Sequence, residues 1–424
     1  MTTERKACRC GRMGVKMVNI AVLGYGTVGS GVVEVISTNR EMISEKSGVK
    51  IHVKYILDLR DFPGDPHEKK IVHDYDRILN DPEVAIICET MGGVGAAYTF
   101  TRQALMAGKS VCTSNKELVA AHGPELISLA KQHNCNYLFE ASVGGGIPII
   151  RVMNDSLTAE KIQSVTGILN GTTNYILSGM ESQGADFDTV LREAQEKGYA
   201  ERNPEADVEG HDACRKIAIL SSLMTGKNVN AENIYTEGIT GIRAEDFVFA
   251  GELGMSVKLL AKSARAENGI VTAMVSPFLI SMEHPLYMVK DVFNAVLVRG
   301  NMLGDTMYYG RGAGKLPTAS AVVSDIIDCA RHLGREIMCF WDAEEAQTAG
   351  IDGICRKFFV RADSAGEEKA KEIFGEIIPV RSQRAAGQFA FLTQELTEKE
   401  FAEKYAQLGT HGLGRIRVET DGEV

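Results

Sequence analysis

Short apolar runs alternate with helix-length segments through residues 18–147, and this alternation constrains the fold more than any other feature. The runs are short enough for strands and lie at 18–26, 49–58, 84–90, 109–115 and 136–142. Helices are predicted between them, over about 28–39, 97–107 and 122–133. Runs that are apolar throughout are typical of strands covered on both faces. This order predicts an α/β domain with a doubly wound parallel sheet.

The rest of the chain predicts two further units, and residues 1–17 are expected to be a disordered leader. The second unit, residues 148–317, reads as an α+β domain, and a helix over 318–333 is expected to return to the first domain. Its helix-like segments lie near 148–156, 186–197, 211–225 and 252–264, and its strand-like runs at 161–169, 269–280, 294–301 and 304–310. Residues 350–424 follow the order βαββαβ, which is typical of a ferredoxin-like module. One of its helices opens with Thr397 and Glu400 at capping-box spacing.

Charge and cysteine content narrow the class of protein. The 424 residues carry a net charge of −10, which makes nucleic acid and anionic membranes poor partners. No apolar run is long enough to span a membrane, and the N-terminus lacks the apolar core of a signal peptide. The nine cysteines follow no regular spacing, as is typical of a reducing compartment. We therefore expect a cytoplasmic protein.

A glycine-rich turn ends the first strand and opens the first helix. In the pattern GxGxxG, Gly24 permits the tight turn, Gly26 lets a pyrophosphate approach the backbone, and Gly29 allows close packing of helix and strand. Phosphates would meet free N–H groups at the helix N-terminus, where Thr27 and Val28 lie. The turn predicts a dinucleotide-binding domain of the Rossmann type.

The end of the second strand bears on the choice of coenzyme. Asp58 would accept hydrogen bonds from a ribose 2′-hydroxyl and so favours NAD. Arg60 could instead hold the 2′-phosphate of NADP. The residues leave NAD and NADP open.

Lysines and acids mark a second candidate site. Lys116 follows a buried strand directly, and the carboxyl ends of parallel strands lie beside the cofactor crevice. Asp212 and Lys216 are four residues apart, so they share one face of a helix that continues with apolar residues and should be buried. A buried ion pair loses its hydration, which suggests that it has a function. An exposed pair would only stabilise the helix, by about 0.3 kcal/mol. Spacing alone leaves both interpretations open.

Three motifs together resemble the homoserine dehydrogenase family. They are NGTTNYIL at 170–177, the acid-rich stretch 198–216, and Gly312-Ala313-Gly314 followed by PTASAVV at 317–323. The likeness extends from about residue 18 to 333. It implies interconversion of L-homoserine and L-aspartate 4-semialdehyde with NAD or NADP. Because no kinase domain precedes it, a monofunctional form is expected.

The resemblance also implies roles for individual residues. Lys216 would be the proton donor, with Lys116 on the cofactor and substrate side. The substrate would be held by Glu201, Asp207 and Asp212, and further cofactor contacts are implied at Thr90, Lys116, Gly198, Gly312 and Gly314. A sodium ion is implied at Glu140, Val143, Gly145 and Ile147. That loop offers one carboxylate and several carbonyls, which suit a hard cation, and a glycine turn without an ion is the alternative.

The tail and the subunit arrangement leave alternatives open. The βαββαβ order is similar to ACT modules, which implies feedback inhibition by L-threonine, but a dimerising module without a ligand fits equally. The resemblance implies a homodimer or homotetramer built through the second domain. An aspartate semialdehyde dehydrogenase would need a nucleophilic cysteine, whereas Cys88 and Cys112 lie within strands. A non-catalytic nucleotide sensor would have no need of the lysine and its acids.

Overall fold

The computed structural model describes residues 16–419, and its first domain is built on a parallel sheet. The six strands are β1 (Lys16–Leu23), β2 (Val49–Leu57), β3 (Ile71–Val72), β4 (Val84–Glu89), β5 (Ser110–Thr113) and β6 (Tyr137–Leu138). The helices are α1 (Thr27–Thr38), α2 (Arg40–Ser47), α3 (Asp76–Leu79), α4 (Gly95–Met106) and α5 (Lys116–Gln132). The strand order is β3-β2-β1-β4-β5-β6, which confirms the doubly wound parallel sheet.

The expected leader falls mostly on residues 1–15, which lie outside the described residues. Strand β1 already begins at Lys16, two residues before the predicted start. Within the described range no helix is long and apolar enough to cross a bilayer.

The second domain packs several helices against a mixed sheet. Its helices are α6 (Ile149–Arg151), α7 (Gly171–Gln183), α8 (Phe187–Glu196), α9 (Glu205–Val208), α10 (His211–Thr225) and α11 (Ala244–Glu252). Its strands are β7 (Ile162–Ile168), β8 (Tyr235–Thr236), β9 (Met255–Arg265), β10 (Val271–Ser281), β11 (Phe293–Gly300) and β12 (Gly304–Arg311). Helix α12 (Lys315–Arg331) then returns to the first domain, as expected. A Cβ atom on Gly31 of α1 would lie 3.0 Å from the Cβ of Ala319, so glycine allows α1 and α12 to pack closely.

One sequence prediction for this domain is wrong, and three of its helices, α9 and α11 among them, were missed. The helix expected over 252–264 is wrong, because Met255–Arg265 forms strand β9, paired antiparallel with β10. Strand β9 is covered on both faces, so its apolar residues do not alternate, and periodicity alone cannot distinguish such a strand from a buried helix. Gly254, with a φ of +66°, ends the preceding helical segment. Helix α7, over Gly171–Gln183, was not predicted at all.

The tail continues the sheet of the second domain. Its strands are β13 (Cys355–Arg356), β14 (Phe358–Asp363), β15 (Ile378–Val380), β16 (Gln388–Leu392), β17 (Leu396–Thr397) and β18 (Gly412–Val418), with helices α13 (Glu367–Phe374) and α14 (Glu398–Leu408). The β15–β16 hairpin and the Thr397–Glu400 capping box are confirmed. Strand β18 pairs with β14 on one side and, in parallel, with β10 on the other. The tail therefore shares one ten-stranded sheet with the second domain.

Candidate active site

The glycine turn leaves space beside the start of α1. Gly24 has a φ of +91°, and a Cβ on Gly29 would lie 1.9 Å from the Gly24 carbonyl oxygen, so both positions require glycine. A Cβ on Gly26 would meet nothing within 4 Å. Gly26 precedes α1 without a side-chain cap, so the first N–H groups of the helix remain available. Thr90 Oγ1 donates to the Leu23 and Gly24 carbonyls, both at 3.0 Å, and braces the turn. These residues fit the diphosphate of a dinucleotide.

Asp58 and Arg60 pair with each other at the edge of this turn. Asp58 Oδ2 accepts a hydrogen bond from the Tyr25 N–H at 2.8 Å, so the carboxylate faces the turn. Arg60 donates from Nε and Nη2 to the two carboxylate oxygens, each at 3.0 Å. The hydrogen bond from Arg60 is the main reason that the pKa of Asp58 lies well below its usual range. Asp58 and Arg60, the two residues that could determine the choice of coenzyme, therefore lie side by side at the edge of the glycine turn.

Lys116, Asp212 and Lys216 form one charged cluster. Lys116 is the first residue of α5, whose cap Asn115 accepts from the Leu118 N–H at 3.1 Å. Asp212 Oδ1 lies 2.6 Å from Lys116 Nζ, and Oδ2 lies 2.6 Å from Lys216 Nζ. Lys216 Nζ also donates to the Leu169 carbonyl at 2.8 Å. Asp212 is 3% exposed and Lys216 is 9% exposed. The alternative of a solvated surface pair is therefore wrong.

Asn170 connects the cluster to a further acid. Its Nδ2 donates to Asp207 Oδ1 at 2.7 Å and to Asp212 Oδ2 at 2.8 Å, while its Oδ1 caps α7 by accepting from the Thr173 N–H. Sequence reasoning quoted the motif that begins at this residue but gave Asn170 no role. The available signal was an asparagine before Gly171 and Thr172, which is a helix N-cap pattern.

Electrostatics in the cluster favour the charged forms of Asp212 and Lys116. Burial acts to raise the pKa of Asp212, but the two ammonium groups outweigh it, and the pKa lies well below its usual range. Burial likewise acts to lower the pKa of Lys116, but the charge and hydrogen bond of Asp212 outweigh it, and the pKa is raised. Burial and the neighbouring charge of Asp212 raise the pKa of Asp207. The site therefore places two lysine side chains around one buried carboxylate.

The structure does not bring Glu201 to this cluster. Glu201 is exposed, and its main-chain carbonyl accepts from Gln195 Nε2 at 3.0 Å. Among the described residues its carboxylate makes no contact with either lysine. Gly198, with a φ of +74°, ends the turn after α8, and Thr172 Oγ1 donates to the neighbouring Tyr199 carbonyl at 2.7 Å. The 198–201 segment thus lies beside the start of α7.

The Gly312–Gly314 turn packs against the loop proposed to hold sodium. A Cβ on Gly145 would lie 2.4 Å from the Gly312 carbonyl oxygen, and the Gly146 N–H donates to the Arg311 carbonyl at 3.1 Å. Glu140 is buried, and its two carboxylate oxygens accept from the Ile150 and Arg151 N–H groups, both at 2.8 Å. The same loop carries the main-chain carbonyls of Val143, Gly145 and Ile147, of which that of Ile147 already accepts from the Ile149 N–H at 2.8 Å. The described residues contain no group of three or more acids, histidines or cysteines suited to a metal.

The carboxyl ends of three strands align the cofactor turn with the lysine. Leu23 pairs with Glu89, and Glu89 pairs with Thr113, in adjacent parallel strands. Neighbouring strands lie about 4.8 Å apart, so the ends of β1 and β5 lie roughly 10 Å apart at one sheet edge. Lys116 follows β5 closely, so it lies near the cofactor turn.

Glu89 is a buried carboxyl at this edge that sequence reasoning missed. Thr113 Oγ1 donates to Glu89 Oε2 at 2.5 Å, and the Met91 N–H donates to Oε1 at 2.7 Å. The Asn115 N–H in turn donates to Thr113 Oγ1 at 2.9 Å, so the contacts reach the cap of α5. Burial raises the pKa of Glu89 to about 7.

Comparisons with known proteins cover both domains. A family model described as "Homoserine dehydrogenase" matches residues 148–327, and one described as "Homoserine dehydrogenase, NAD binding domain" matches residues 24–140.

A homoserine dehydrogenase of Synechocystis is 46% identical over 316 residues, or 73% of each chain. The crystal structure of a homoserine dehydrogenase from Thiobacillus denitrificans superposes with a TM-score of 0.86 at 35% identity, over 95% of this chain and 98% of the other. A hyperthermophilic archaeal homoserine dehydrogenase in complex with NADPH superposes with a TM-score of 0.63 at 30% identity, over 74% of this chain and 98% of the other. Sequence, fold and the clustered lysines agree, and the chain belongs to the homoserine dehydrogenase family.

Proposed function

We propose that the chain interconverts L-homoserine and L-aspartate 4-semialdehyde with NAD or NADP. One observation carries the proposal: Asp212 holds the ammonium groups of Lys116 and Lys216 at the sheet edge that bears the glycine turn. Bound coenzyme supplies or accepts the hydride at the substrate carbon that carries the reacting oxygen.

The lysines act on that oxygen. In aldehyde reduction negative charge develops on the oxygen, and an adjacent ammonium group stabilises this charge and can deliver a proton. We assign proton donation to Lys216, because the buried Leu169 carbonyl and Asp212 fix its Nζ in place. We assign polarisation of the oxygen to Lys116, which is more exposed and begins a helix beside the cofactor turn.

The acids hold the substrate and orient the lysines. Asp207 is partly buried and already touches Asn170, so it can pair with the substrate's α-ammonium group. We assign Glu201 to the same group from the exposed rim, which requires the 198–204 segment to move inward. Asp212 orients both ammonium groups.

The cofactor is assigned to the glycine turn and its neighbours. Gly24, Gly26, Thr27, Val28 and Gly29 would hold the diphosphate, while Thr90, Lys116, Gly198, Gly312 and Gly314 would contact the rest of the coenzyme. The open space at Gly26 and the free helix N-terminus support this assignment. The archaeal relative solved with NADPH makes NADP a coenzyme to test beside NAD.

We also propose a sodium ion at Glu140, Val143, Gly145 and Ile147. Main-chain carbonyls are suitable ligands for a hard monovalent cation, and the positive φ values of Gly144 and Gly145 shape the loop. The loop touches the Gly312 turn, so the ion would support the cofactor site. Replacing sodium by choline in the assay buffer should lower activity, and unchanged activity would contradict the site.

We propose that the tail is a regulatory module that responds to L-threonine. Its βαββαβ order supports this. Arg417 of β18 also joins Glu237, and a Cβ on the neighbouring Gly238 would lie 2.2 Å from the Val208 carbonyl oxygen, next to Asp207 in the chain. Titration of the whole chain with L-threonine should lower activity. Unchanged activity at millimolar L-threonine would contradict regulation and leave the tail with a structural role only.

We propose a homodimer or homotetramer that covers the edge of the second domain. Strand β12 lies at the end of the ten-stranded sheet and exposes Met307 and Tyr309. Exposed edge strands of this kind are usually covered by another chain or blunted. Light scattering should give a multiple of the chain mass, and a monomer would contradict the assembly.

The reaction itself is tested by one assay. Absorbance at 340 nm should rise when L-homoserine is added with NAD or NADP, and the rate should saturate with substrate. L-Serine and L-threonine serve as control substrates. Absence of turnover with both coenzymes would overturn the proposed function.

A further inference from the structure

A fully buried carboxamide near the site has no hydrogen-bond partner. Asn294, in β11, is 0% exposed, and neither its Oδ1 nor its Nδ2 is paired within residues 16–419. Buried amides are nearly always paired, because an unpaired polar group loses its bonds to water and gains nothing in return. An unpaired buried carboxamide costs free energy, which suggests that another state of the protein supplies partners for Asn294.

The carboxamide lies between the two halves of the proposed site. A Cβ on Gly312 would lie 2.0 Å from Asn294 Nδ2, so only glycine lets the Gly312–Gly314 turn approach this side chain. A Cβ on Gly171 would lie 3.5 Å from Asn294 Oδ1. Gly171 follows Asn170, which holds Asp207 and Asp212. Asn294 thus lies against the Gly312–Gly314 turn on one side and near the start of α7 on the other.

Glycine gives the Gly312–Gly314 turn a backbone conformation that other residues rarely adopt. Gly314 has a φ of 119° and a ψ of 155°, a region that essentially only glycine occupies. The Gly312 carbonyl points toward Gly145. The carboxamide of Asn294 lies against Gly312 without forming a hydrogen bond to it. A carboxamide carries both a donor and an acceptor, so it can pair with the C=O and N–H groups of a peptide.

We propose that Asn294 is a positioning residue for the coenzyme. When the coenzyme fills the cleft, the peptide groups of the Gly312–Gly314 turn rotate, and the Asn294 carboxamide hydrogen-bonds to them and holds the turn against the coenzyme. The unpaired amide costs free energy in the coenzyme-free protein, and the new hydrogen bonds offset this cost when the coenzyme is bound. This rests on the proposed function, since it takes the turn as a coenzyme contact.

The test compares Asn294→Leu with a matched control, Asn174→Leu. The control residue is also a buried asparagine, and its Oδ1 is likewise unpaired within residues 16–419, but its Nδ2 donates to the Asp291 and Phe293 carbonyls, both at 3.0 Å, so we assign it a structural role. Asn294→Leu should keep or raise the melting temperature of the coenzyme-free protein, because no bond is lost. Its Kd for NADPH or NADH, measured by calorimetry, should rise about tenfold, and the coenzyme KM should rise with kcat within about threefold. Asn174→Leu should lower the melting temperature and leave the coenzyme Kd unchanged.

A second variant tests whether the leucine side chain weakens coenzyme binding only because it is too large beside Gly312. Asn294→Ala removes both polar atoms without adding volume, and it should weaken coenzyme binding in the same way. Coenzyme binding at the wild-type level in either variant that folds would overturn the proposal, as would a stability loss like that of Asn174→Leu with an unchanged Kd. Wild-type protein that binds neither coenzyme would instead overturn the proposed function.

Discussion

The Nζ atom of Lys116 lies 2.6 Å from Oδ1 of Asp212, across the boundary between the two domains. Lys116 begins a helix of the parallel-sheet domain, whereas Asp212 lies in the first turn of buried α10. One carboxylate thereby joins the cofactor side to the substrate side.

Removing the buried lysine should stop chemistry and spare coenzyme binding. In Lys216→Ala we expect kcat to fall by roughly 10²–10⁴-fold, because the group that delivers the proton is lost. The Kd for NADPH should stay within about twofold, since Lys216 does not touch the glycine turn. Steady-state kinetics and calorimetry measure both values.

Lys227→Ala is the control for the lysine variant. Lys227 follows α10 and pairs with Glu344 at the surface, 2.5 Å away. Its removal should leave kcat unchanged. A near-normal kcat in Lys216→Ala would remove Lys216 from its assigned role.

The Asp58–Arg60 pair should set the choice of coenzyme. In Asp58→Ser we expect the ratio of kcat/KM for NADP over NAD to rise at least about tenfold, because a carboxylate that repels the 2′-phosphate is gone and Arg60 is released to bind it. Asp61→Ser, at an exposed carboxylate beside His73, is the control and should not change the ratio. An unchanged ratio in Asp58→Ser would show that neither residue reads the 2′ position.

Buried Glu89 should make stability depend on pH. Burial raises its pKa from 4.5 to about 7 in the folded protein, so the folded state keeps a proton that the unfolded state releases between these values. Stability is therefore fully present below about pH 4.5 and falls as pH rises toward 7, by roughly 3 kcal/mol from this group.

Glu89→Gln should remove that pH dependence. We expect the difference in unfolding free energy between the variant and the wild type to move in favour of the variant as pH rises from 4.5 to 7, measured by urea denaturation. Glu45→Gln, at an exposed residue of α2, is the control, and its unfolding free energy should change with pH as that of the wild type does. Parallel curves for Glu89→Gln would contradict the raised pKa.

Arg417 should be the main connection between the tail and the second domain. Its Nε and Nη2 donate to the two carboxylate oxygens of Glu398 at 2.7 and 2.9 Å, and its Nη1 donates to Glu237 and to Ser276 at 2.6 Å each. Arg417→Leu should lower the unfolding free energy by about 1.5–3 kcal/mol, because Glu398 and Glu237 lose charged hydrogen bonds, although Arg356 and Arg415 remain beside them.

Arg415→Leu is the matched control in the same strand. Its side chain is 34% exposed and lies 3.5 Å from Glu237, so its loss should cost at most about 1 kcal/mol. Urea denaturation of both variants gives the comparison. Equal losses would contradict a dominant role for Arg417.

Local pattern was sufficient for much of the fold. The glycine turn, the strands around it and the α10 helix were predicted because short apolar runs and glycine spacing act within a few residues. The burial of Lys216 also followed from its apolar neighbours in the helix. Strand β9 was assigned wrongly because a segment covered on both sides shows neither helical nor strand periodicity.

The sequence by itself determined the parallel-sheet domain, its nucleotide turn and the helix that carries Asp212 and Lys216. Only the tertiary structure decided that Lys116 reaches Asp212, that Asn170 joins two acids, and that β18 extends the sheet of β10. The physical reason is distance along the chain: each of these contacts joins segments whose approach depends on packing of the whole domain, and no local periodicity encodes it.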